Sequence, residues 1–357
     1  MNTTIKVLQP DMPTAEDLLP YLRSMDRSKV FVNNGPFVQE LEELLRRHTG
    51  LHCVTMSNAT VALELTLRWL FRGKTSTPRV LVPSVTYVAS GQAVFNAGAK
   101  PVLADVDADT WQLTADMALA AVKTMHVDAV MPVAAFGAPV PIDAWEDFSR
   151  KTGIPVVVDA AGALTEQRSP AHENVFVVYS MHATKFWGAG EGGVVSSPDL
   201  SALAALRDMA CFGHGGTNAK MSEYHAAVGL AAEPALVAKA VQTMKVISYY
   251  ESQMPGILLA SMQAWPPRSN WTLLPVLMPA DIGAKPAANY LASRGIETRQ
   301  WYAPYLHERP QFAGCACVGD LVVADELSDR LLGVPFHTRL SEDDVARVCK
   351  ALRELVE

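Results

Sequence analysis

The sequence lacks a cysteine framework and a metal-binding pattern. Five of the 357 residues are cysteines, an odd number, and only Cys315 and Cys317 lie close together. No second cysteine pair follows them to complete a zinc site, and none of the nine histidines forms an H-x-x-x-H pair on a predicted helix. We therefore predict free thiols in a reducing compartment and no metal centre.

Long apolar runs and clusters of basic residues are also absent. No run approaches the ~18 apolar residues that a membrane-spanning helix requires, and the first residues show no secretion-signal pattern. Lys and Arg number 30 against 37 Asp and Glu, which gives a net charge of −7. These features predict a cytoplasmic protein that binds neither nucleic acid nor membranes.

The chain does contain enough apolar residues, 49% against 19% charged, for a large core. Its length favours two domains. In the first part, short β-rich runs alternate with helical patterns, which is typical of a doubly wound α/β sheet, mostly parallel, with helices on both faces. Seven strands are predicted, over residues 53–56, 80–82, 102–104, 129–133, 154–158, 175–179 and 193–196.

We predict a large domain over residues 1–235, followed by a linker helix and a small α+β domain over residues 236–357. Thr14 is a predicted N-cap for a first helix, and Ser341 with Asp344 resembles a capping box for the last. The predicted helices and apolar run that define the two domains cover residues 15–25, 60–71, 233–253, 271–278 (apolar), 284–294 and 342–356.

Three segments carry side chains suited to chemistry. Ser-Asn-Ala-Thr at residues 57–60 joins a strand to a helix, where free N–H groups and the helix dipole favour phosphate, although Ser and Asn are also ordinary N-caps. Asp159 ends an apolar strand, where a carboxylate either meets a cation or caps the next turn. Lys185 follows another strand, and apolar surroundings would favour its neutral amine over the usual solvated ammonium.

A phosphate cradle, a buried carboxylate and an amine nucleophile together match the requirements of pyridoxal 5′-phosphate (PLP). A dinucleotide-binding oxidoreductase fits less well. No G-x-G-x-x-G follows the first strand, and the glycines of residues 188–193 precede a strand rather than a helix.

With these segments in place, the sequence resembles the DegT–DnrJ–StrS sugar aminotransferases, which are fold-type-I PLP enzymes related to aspartate aminotransferase. The resemblance covers nearly the whole chain from Asn33, and the motifs follow the family's order and spacing. The matching segments are residues 57–63, 83–89, 98–102, 180–185, 188–193, 218–223, 226–230 and 295–299, the last with Tyr302 and His307.

The resemblance implies a role for each matching residue at the cofactor. Lys185 would bind PLP covalently and move the proton between the substrate carbon and the cofactor, and Asp159 would keep the ring nitrogen protonated. Tyr87 would stack on the ring, with a buried core tyrosine as the alternative. The phosphate would be held by Ala59, Thr60 and Ser180, with Asn218 of the second subunit of a homodimer.

Around the cofactor, His182 would line the site, or be a structural histidine. Arg299, Tyr302 and His307 are candidate contacts for the sugar or its diphosphate, or else surface residues of a turn.

Several positions depart from the family pattern. Gly162 stands where the family has a Gln that helps to position the 3′-hydroxyl of the cofactor, and Phe186 with Trp187 predicts an aromatic pocket mouth. The remaining departures are Ala59 for Gly, Ala183 for Pro and Lys220 for Arg.

The leading hypothesis is a transaminase that moves an amino group from L-glutamate to a nucleotide-linked keto-sugar, with pyridoxamine phosphate and 2-oxoglutarate formed on the way. Such amino sugars feed bacterial surface polysaccharides, including lipopolysaccharide O-antigen, or glycosylated antibiotics. One alternative is a PLP-dependent sugar dehydratase, although related dehydratases have His in place of the lysine. The other is a cofactor-binding regulatory protein, which only Gly162 favours.

Overall fold

The computed structural model of the protein describes residues 4–259, 263 and 272–357. The predicted turn around Pro266 and the first residue of the predicted apolar run lie outside these ranges.

The centre of the fold is one eight-stranded sheet in the order β1-β7-β6-β5-β4-β2-β3-β9. All pairings are parallel except those of β7, which runs antiparallel to both β1 and β6. The sheet is therefore mostly parallel, as predicted. Its strands are β1 Cys53–Met56, β2 Arg79–Pro83, β3 Lys100–Ala104, β4 Ala129–Val130, β5 Val156–Asp159, β6 Val175–Ser180, β7 Gly193–Ser196 and β9 Ala316–Val318.

Helices cover both faces of this sheet, because its central strands are apolar on both sides. In β5, Val156 and Val158 belong to one core cluster and Val157 to the cluster on the opposite face. This alternation is the two-residue period of a strand. Polar side chains are therefore left to the strand ends, which is where a site can form.

The prediction of seven strands was incomplete, because β9 comes from the C-terminal part of the chain and extends the sheet beyond β3. Val102 pairs with Ala316, and Ala104 pairs with Val318. The strand has only three residues, none of them fully buried, so neither length nor apolar pattern marks it in the sequence.

Thirteen α-helices are present in the described ranges. Thr14 is an N-cap as predicted and also forms a capping box with Asp17, and Ser341 forms the predicted capping box. The predicted linker helix starts with a separate 3₁₀ turn at Glu233–Ala235. None of the helices in these ranges is both long and apolar enough to cross a membrane. The helices are α1 Ala15–Ser28, α2 Pro36–Thr49, α3 Ala59–Leu70, α4 Val88–Asn96, α5 Ala115–Ala121, α6 Ile142–Thr152, α7 Leu200–Ala210, α8 Glu223–Ala232, α9 Leu236–Gln253, α10 Gly256–Leu259, α11 Ala284–Ser293, α12 Val322–Arg330 and α13 Glu342–Val356.

A second, two-stranded antiparallel sheet pairs β8 Leu274–Leu277 with β10 Leu331–Val334. Side chains from α9, α11 and α13 pack with it in a separate core cluster. The division of the chain near residue 235 stays a prediction.

The first described residues join this second unit rather than the large sheet. Ile5 pairs with Ile296, and the Phe336 amide donates to the Val7 carbonyl at 2.9 Å. The chain then crosses to α1, with Met12 packing beside Gly188. We call residues 5–12 the N-terminal strap, because they connect the two units close to Lys185.

Candidate active site

Lys185 and Asp159 are the two charged residues at the centre of the candidate site. Asp159 is the last residue of β5, and Lys185 follows the neighbouring strand β6, so both lie at the carboxyl edge of the sheet. Burial lowers the pKa of Lys185, and the charge of Asp159 opposes this shift. The amine is therefore more easily deprotonated than that of a lysine in water.

Asp159 is only 6% exposed, and its two carboxylate oxygens have separate donors. The Ser90 hydroxyl donates to Oδ2 at 2.7 Å, and the Ala161 amide donates to Oδ1 at 3.1 Å. The hydroxyls of Thr86 and Ser90 are 2.7 Å apart. Since Ser90 uses its only proton on Asp159, Thr86 donates to Ser90.

Burial raises the pKa of Asp159, while the Ser90 hydroxyl, the Ala161 amide and the charge of Lys185 lower it. Three groups thus favour the carboxylate against desolvation. A cation next to this carboxylate would favour its charged form further.

The predicted phosphate cradle lies at the start of α3. The Asn58 side chain caps the helix by accepting from the Val61 amide at 2.9 Å, and the Ala62 amide donates to the Asn58 carbonyl. The amides of Ala59 and Thr60 come before these bonds, so they lack intrahelical partners. At this helix start, the free amides and the positive end of the helix dipole favour binding of an anion such as phosphate.

Ser180 lies beside this cradle, because β7 connects the two. Ser180 is opposite Gly193 in the β6–β7 register. A β-carbon on Gly193 would lie 2.3 Å from the Asn58 carbonyl oxygen, so only glycine permits this approach. The Ser180 hydroxyl accepts from the His182 amide at 3.2 Å, so its proton remains available.

His182 is bonded locally. Its Nδ1 lies 2.9 Å from the Thr184 hydroxyl and its Nε2 lies 3.7 Å from a Glu191 carboxylate oxygen. The side chain is 45% exposed. It therefore lies at the edge of the site, close to Lys185 in the chain.

Burial raises the pKa of the Tyr302 phenol well above its usual range; the bond from the Phe136 amide opposes this shift, and the charge of Asp159 adds to it. The Tyr302 ring is parallel to that of Phe136 at a centroid distance of 5.0 Å, and its hydroxyl accepts from the Phe136 amide at 3.2 Å. Tyr87 lies edge-on to Tyr302 at 6.0 Å. Tyr87 is 60% exposed, which excludes the alternative of a core tyrosine.

Asn218 is exposed on a segment that packs against the phosphate cradle. The Ala219 carbonyl accepts from the Ser57 amide at 2.7 Å, and the Lys220 ammonium donates to the Asn218 side chain at 2.6 Å. The amide of Asn218 is thus held at the surface of its own chain.

The other two candidate substrate contacts have different positions. His307 bonds through Nδ1 to the buried Ser84 hydroxyl and through Nε2 to Asp325 at 2.9 Å, so both ring nitrogens are engaged. Arg299 is exposed, with its guanidinium 5.0 Å from the Trp301 ring centroid.

The prediction of an aromatic mouth was wrong for Trp187. Its side chain is fully buried, its indole N–H donates to the Gly229 carbonyl at 2.8 Å, and its ring packs edge-on against His48. A buried indole requires such an acceptor, and α8 supplies it. Phe186 does line a cleft beside Lys185.

Gly162 packs against another glycine. A β-carbon on Gly162 would lie 3.1 Å from the Gly137 Cα and 3.4 Å from the Thr272 hydroxyl. That hydroxyl donates to the Phe136 carbonyl at 3.2 Å. The departure from the family Gln therefore coincides with a close backbone approach, where a β-carbon would push its neighbours away by a few tenths of an ångström.

We expect Gly162→Gln to destabilise the protein by about 1–3 kcal/mol without tightening PLP binding, because the side chain must displace Gly137 or Thr272. Thermal unfolding and a PLP titration measure the two effects. Gly314→Gln is the matched control, since the space around Gly314 is open. Unchanged stability in Gly162→Gln would contradict the packing argument.

Sequence reasoning missed Ser90, Thr86, Phe136 and Thr272. Ser90 lies one turn beyond Tyr87, so its position on α4 could have been read from the motif. Its bond to Asp159 could not, because it depends on α4 packing over the end of β5.

The residues present fit PLP. The cradle at α3 offers two free amides to a phosphate, the buried Asp159 is suited to a protonated ring nitrogen, and the half-buried Lys185 is suited to the aldehyde carbon. Among the residues that the structure describes, no group of three His, Cys, Asp or Glu side chains could hold a metal ion.

The model of the DegT/DnrJ/EryC1/StrS aminotransferase family matches residues 13–353. The dTDP-4-amino-4,6-dideoxy-D-glucose transaminase of Shigella dysenteriae is 27% identical, over 99% of this chain and all of its own length. The GDP-perosamine synthase of Caulobacter vibrioides is 28% identical, over 90% of this chain and 91% of its own. The crystal structure of DesI with its TDP-sugar product has a TM-score of 0.89 and 28% identity, covering 99% of this chain and 93% of DesI.

These similarities confirm the predicted fold type and the predicted enzyme class, a PLP-dependent sugar aminotransferase. They do not favour the dehydratase alternative. The chain belongs to the DegT/DnrJ/EryC1/StrS aminotransferase family.

Proposed function

We propose that the enzyme transfers an amino group from L-glutamate to a nucleotide-linked keto-sugar, releasing 2-oxoglutarate and an amino sugar for surface polysaccharide such as O-antigen. The observation that carries the proposal is that the half-buried Lys185 and the buried Asp159 lie at the same sheet edge as the α3 phosphate cradle. The names of the relatives support the class of acceptor.

In this proposal PLP, when bound, supplies the electron sink and the carrier of the amino group. Lys185 Nζ would hold the cofactor and would also take the proton from the donor's α-carbon. Its lowered pKa keeps a larger fraction of the amine ready to accept that proton. The Asp159 carboxylate, fixed by Ser90 and Ala161, would hold the proton of the ring nitrogen.

The remaining proposed contacts surround this pair. The amides of Ala59 and Thr60, the Thr60 hydroxyl and Ser180 bind the phosphate, and Tyr87 covers the ring. Tyr302 closes the wall beside Phe136 and excludes water, and His182 lines the entrance. Arg299 is the more available of the two other substrate candidates, because His307 is committed to Ser84 and Asp325.

We also infer a homodimer with shared sites, in which Asn218 of each chain reaches the phosphate of the other. Its exposure beside the cradle supports this arrangement. Light scattering should give a molecular mass twice that of one chain, and a monomer at assay concentration would contradict it.

The experiment for the function is an absorption spectrum of the PLP-loaded protein before and after L-glutamate. We expect the band of the lysine-bound cofactor to be replaced by that of the pyridoxamine form, with one 2-oxoglutarate formed for each site. Adding nucleotide-linked keto-sugars, beginning with ketones at carbon 4, should then restore the first band.

Three results would change the assignment. A band that glutamate leaves unchanged but another amino acid converts would replace the donor. A sugar product formed without consumption of any amino donor would indicate elimination instead of transamination. A panel in which no keto-sugar restores the band would contradict the acceptor class.

A further inference from the structure

A small cleft of about 50 Å³ lies beside Lys185, on the side where the N-terminal strap crosses between the two units. The loop residues Lys185 and Phe186 form one wall, and α9 contributes Lys239 and Thr243 to another. His337, which follows β10, lines it too. The proposed roles of the catalytic residues leave this cleft and its cation, Lys239, without a function.

Lys239 is an unusually buried cation, with 8% of its surface exposed. Its ammonium donates to the backbone carbonyl of Asp11 at 2.5 Å, and the Asp11 carboxylate is 3.9 Å away. Burial lowers the pKa of Lys239, and Asp11 opposes the shift. An ammonium has three donors, so one short bond and one long ion pair leave it incompletely partnered.

Positive charge exceeds negative charge around Lys239. Arg339 also lies 3.7 Å from Asp11, and neither cation has another carboxylate within 4.0 Å among the described residues. Two cations therefore share one carboxylate of the strap. In the same part of the chain, His337 Nε2 is buried without a hydrogen-bond partner.

We propose that Lys239 forms a subsite for a carboxylate of the amino donor in the cleft beside Lys185. The inference rests on the proposed function and identifies the group that would hold the donor. A carboxylate there would complete the ion pairing of Lys239. Because Lys185 lines the same cleft, the donor's amino group would lie near the amine that it displaces.

The test measures binding of glutarate, a dicarboxylate with no amino group, to the PLP-loaded protein by calorimetry at constant ionic strength. We expect Lys239→Met to weaken glutarate binding about 10- to 100-fold, the range for a lost hydrogen bond to a charged group. Lys239→Gln keeps a donor for the Asp11 carbonyl and should lose as much, which separates loss of charge from loss of fold.

Lys245→Met is the matched control on the same helix, because Lys245 is exposed and its ammonium lies 5.8 Å from the Tyr249 ring centroid. Its glutarate affinity should equal that of the wild type. Equal glutarate affinities in wild type, Lys239→Met and Lys239→Gln would overturn the subsite. Glutarate binding too weak to measure in all three proteins would overturn it as well.

Pyrophosphate provides the second probe, because the nucleotide of the acceptor also carries anionic oxygens. If Lys239→Met weakened pyrophosphate binding and left glutarate binding unchanged, the subsite would belong to the acceptor and the donor assignment would be overturned. Glutarate does not react, so its binding is independent of turnover. Failure of glutamate to convert the cofactor would contradict the proposed function. It would not change the result for the subsite, which the glutarate measurement tests by itself.

Discussion

Replacing Lys185 by alanine is expected to lower the rate of amino-group transfer by at least about 10³-fold, because one amine both holds the cofactor and moves the proton. Lys185 lies in the loop after β6 and lines the cleft. Burial lowers the pKa of its amine. Single-turnover spectroscopy with L-glutamate measures the rate, and the spectrum without substrate reports the loss of the lysine-bound cofactor.

The matched control is Lys245→Ala, since this lysine is exposed on α9. It should leave both the spectrum and the rate unchanged. Transfer by Lys185→Ala at the wild-type rate would remove Lys185 from the mechanism. Recovery of the rate by added methylamine in Lys185→Ala would support its role in proton transfer.

Asp159→Asn has the second largest expected effect, a decrease in kcat of about 10²–10³-fold, comparable to removing a preorganised charge or dipole from an active site. Asparagine has nearly the same shape, and its carbonyl oxygen can still accept from Ser90 or Ala161. The substitution therefore removes the charge that faces Lys185 and would hold the ring nitrogen's proton. We expect PLP to remain bound, with weaker affinity.

Asp128→Asn is the matched control, because Asp128 is also a buried carboxylate, 9% exposed, and it pairs with Lys74 away from the site. It should lower the midpoint of thermal unfolding but not kcat of the folded protein. If Asp159→Asn retained wild-type kcat, a carboxylate at the ring nitrogen would not be needed. An equal loss of kcat in both variants would indicate a general structural effect.

The sequence predicts most of the sheet because its buried strands are apolar and bounded by turns. The end of β5 at Asp159 and the capping boxes at Thr14 and Ser341 depend on neighbouring residues only, so local patterns suffice. The three residues of β9 have no such pattern. Their pairing with β3 depends on a contact between distant parts of the chain, which periodicity does not encode.

The site follows the same division. Lys185, Asp159 and the start of α3 could be predicted because each combines a strand end with a chemically distinctive side chain. The position of Trp187 could not be predicted, because an aromatic residue beside Lys185 is equally typical of a pocket wall and of the core. The structure places it in the core, where its indole N–H donates to the Gly229 carbonyl. From the sequence alone, Lys239 is expected to be a solvated residue of a helix. Its burial depends on the N-terminal strap, whose Asp11 carbonyl accepts from its ammonium.

The pairing of β3 with β9 also determines the order in which the protein can be completed on the ribosome. Every other neighbour in the large sheet is synthesised by residue 196, yet the outer edge of β3 stays open until residue 318 has emerged. An open parallel edge is a template for pairing with another chain. Until β9 is synthesised, the sheet therefore exposes the outer edge of β3 in addition to that of β1.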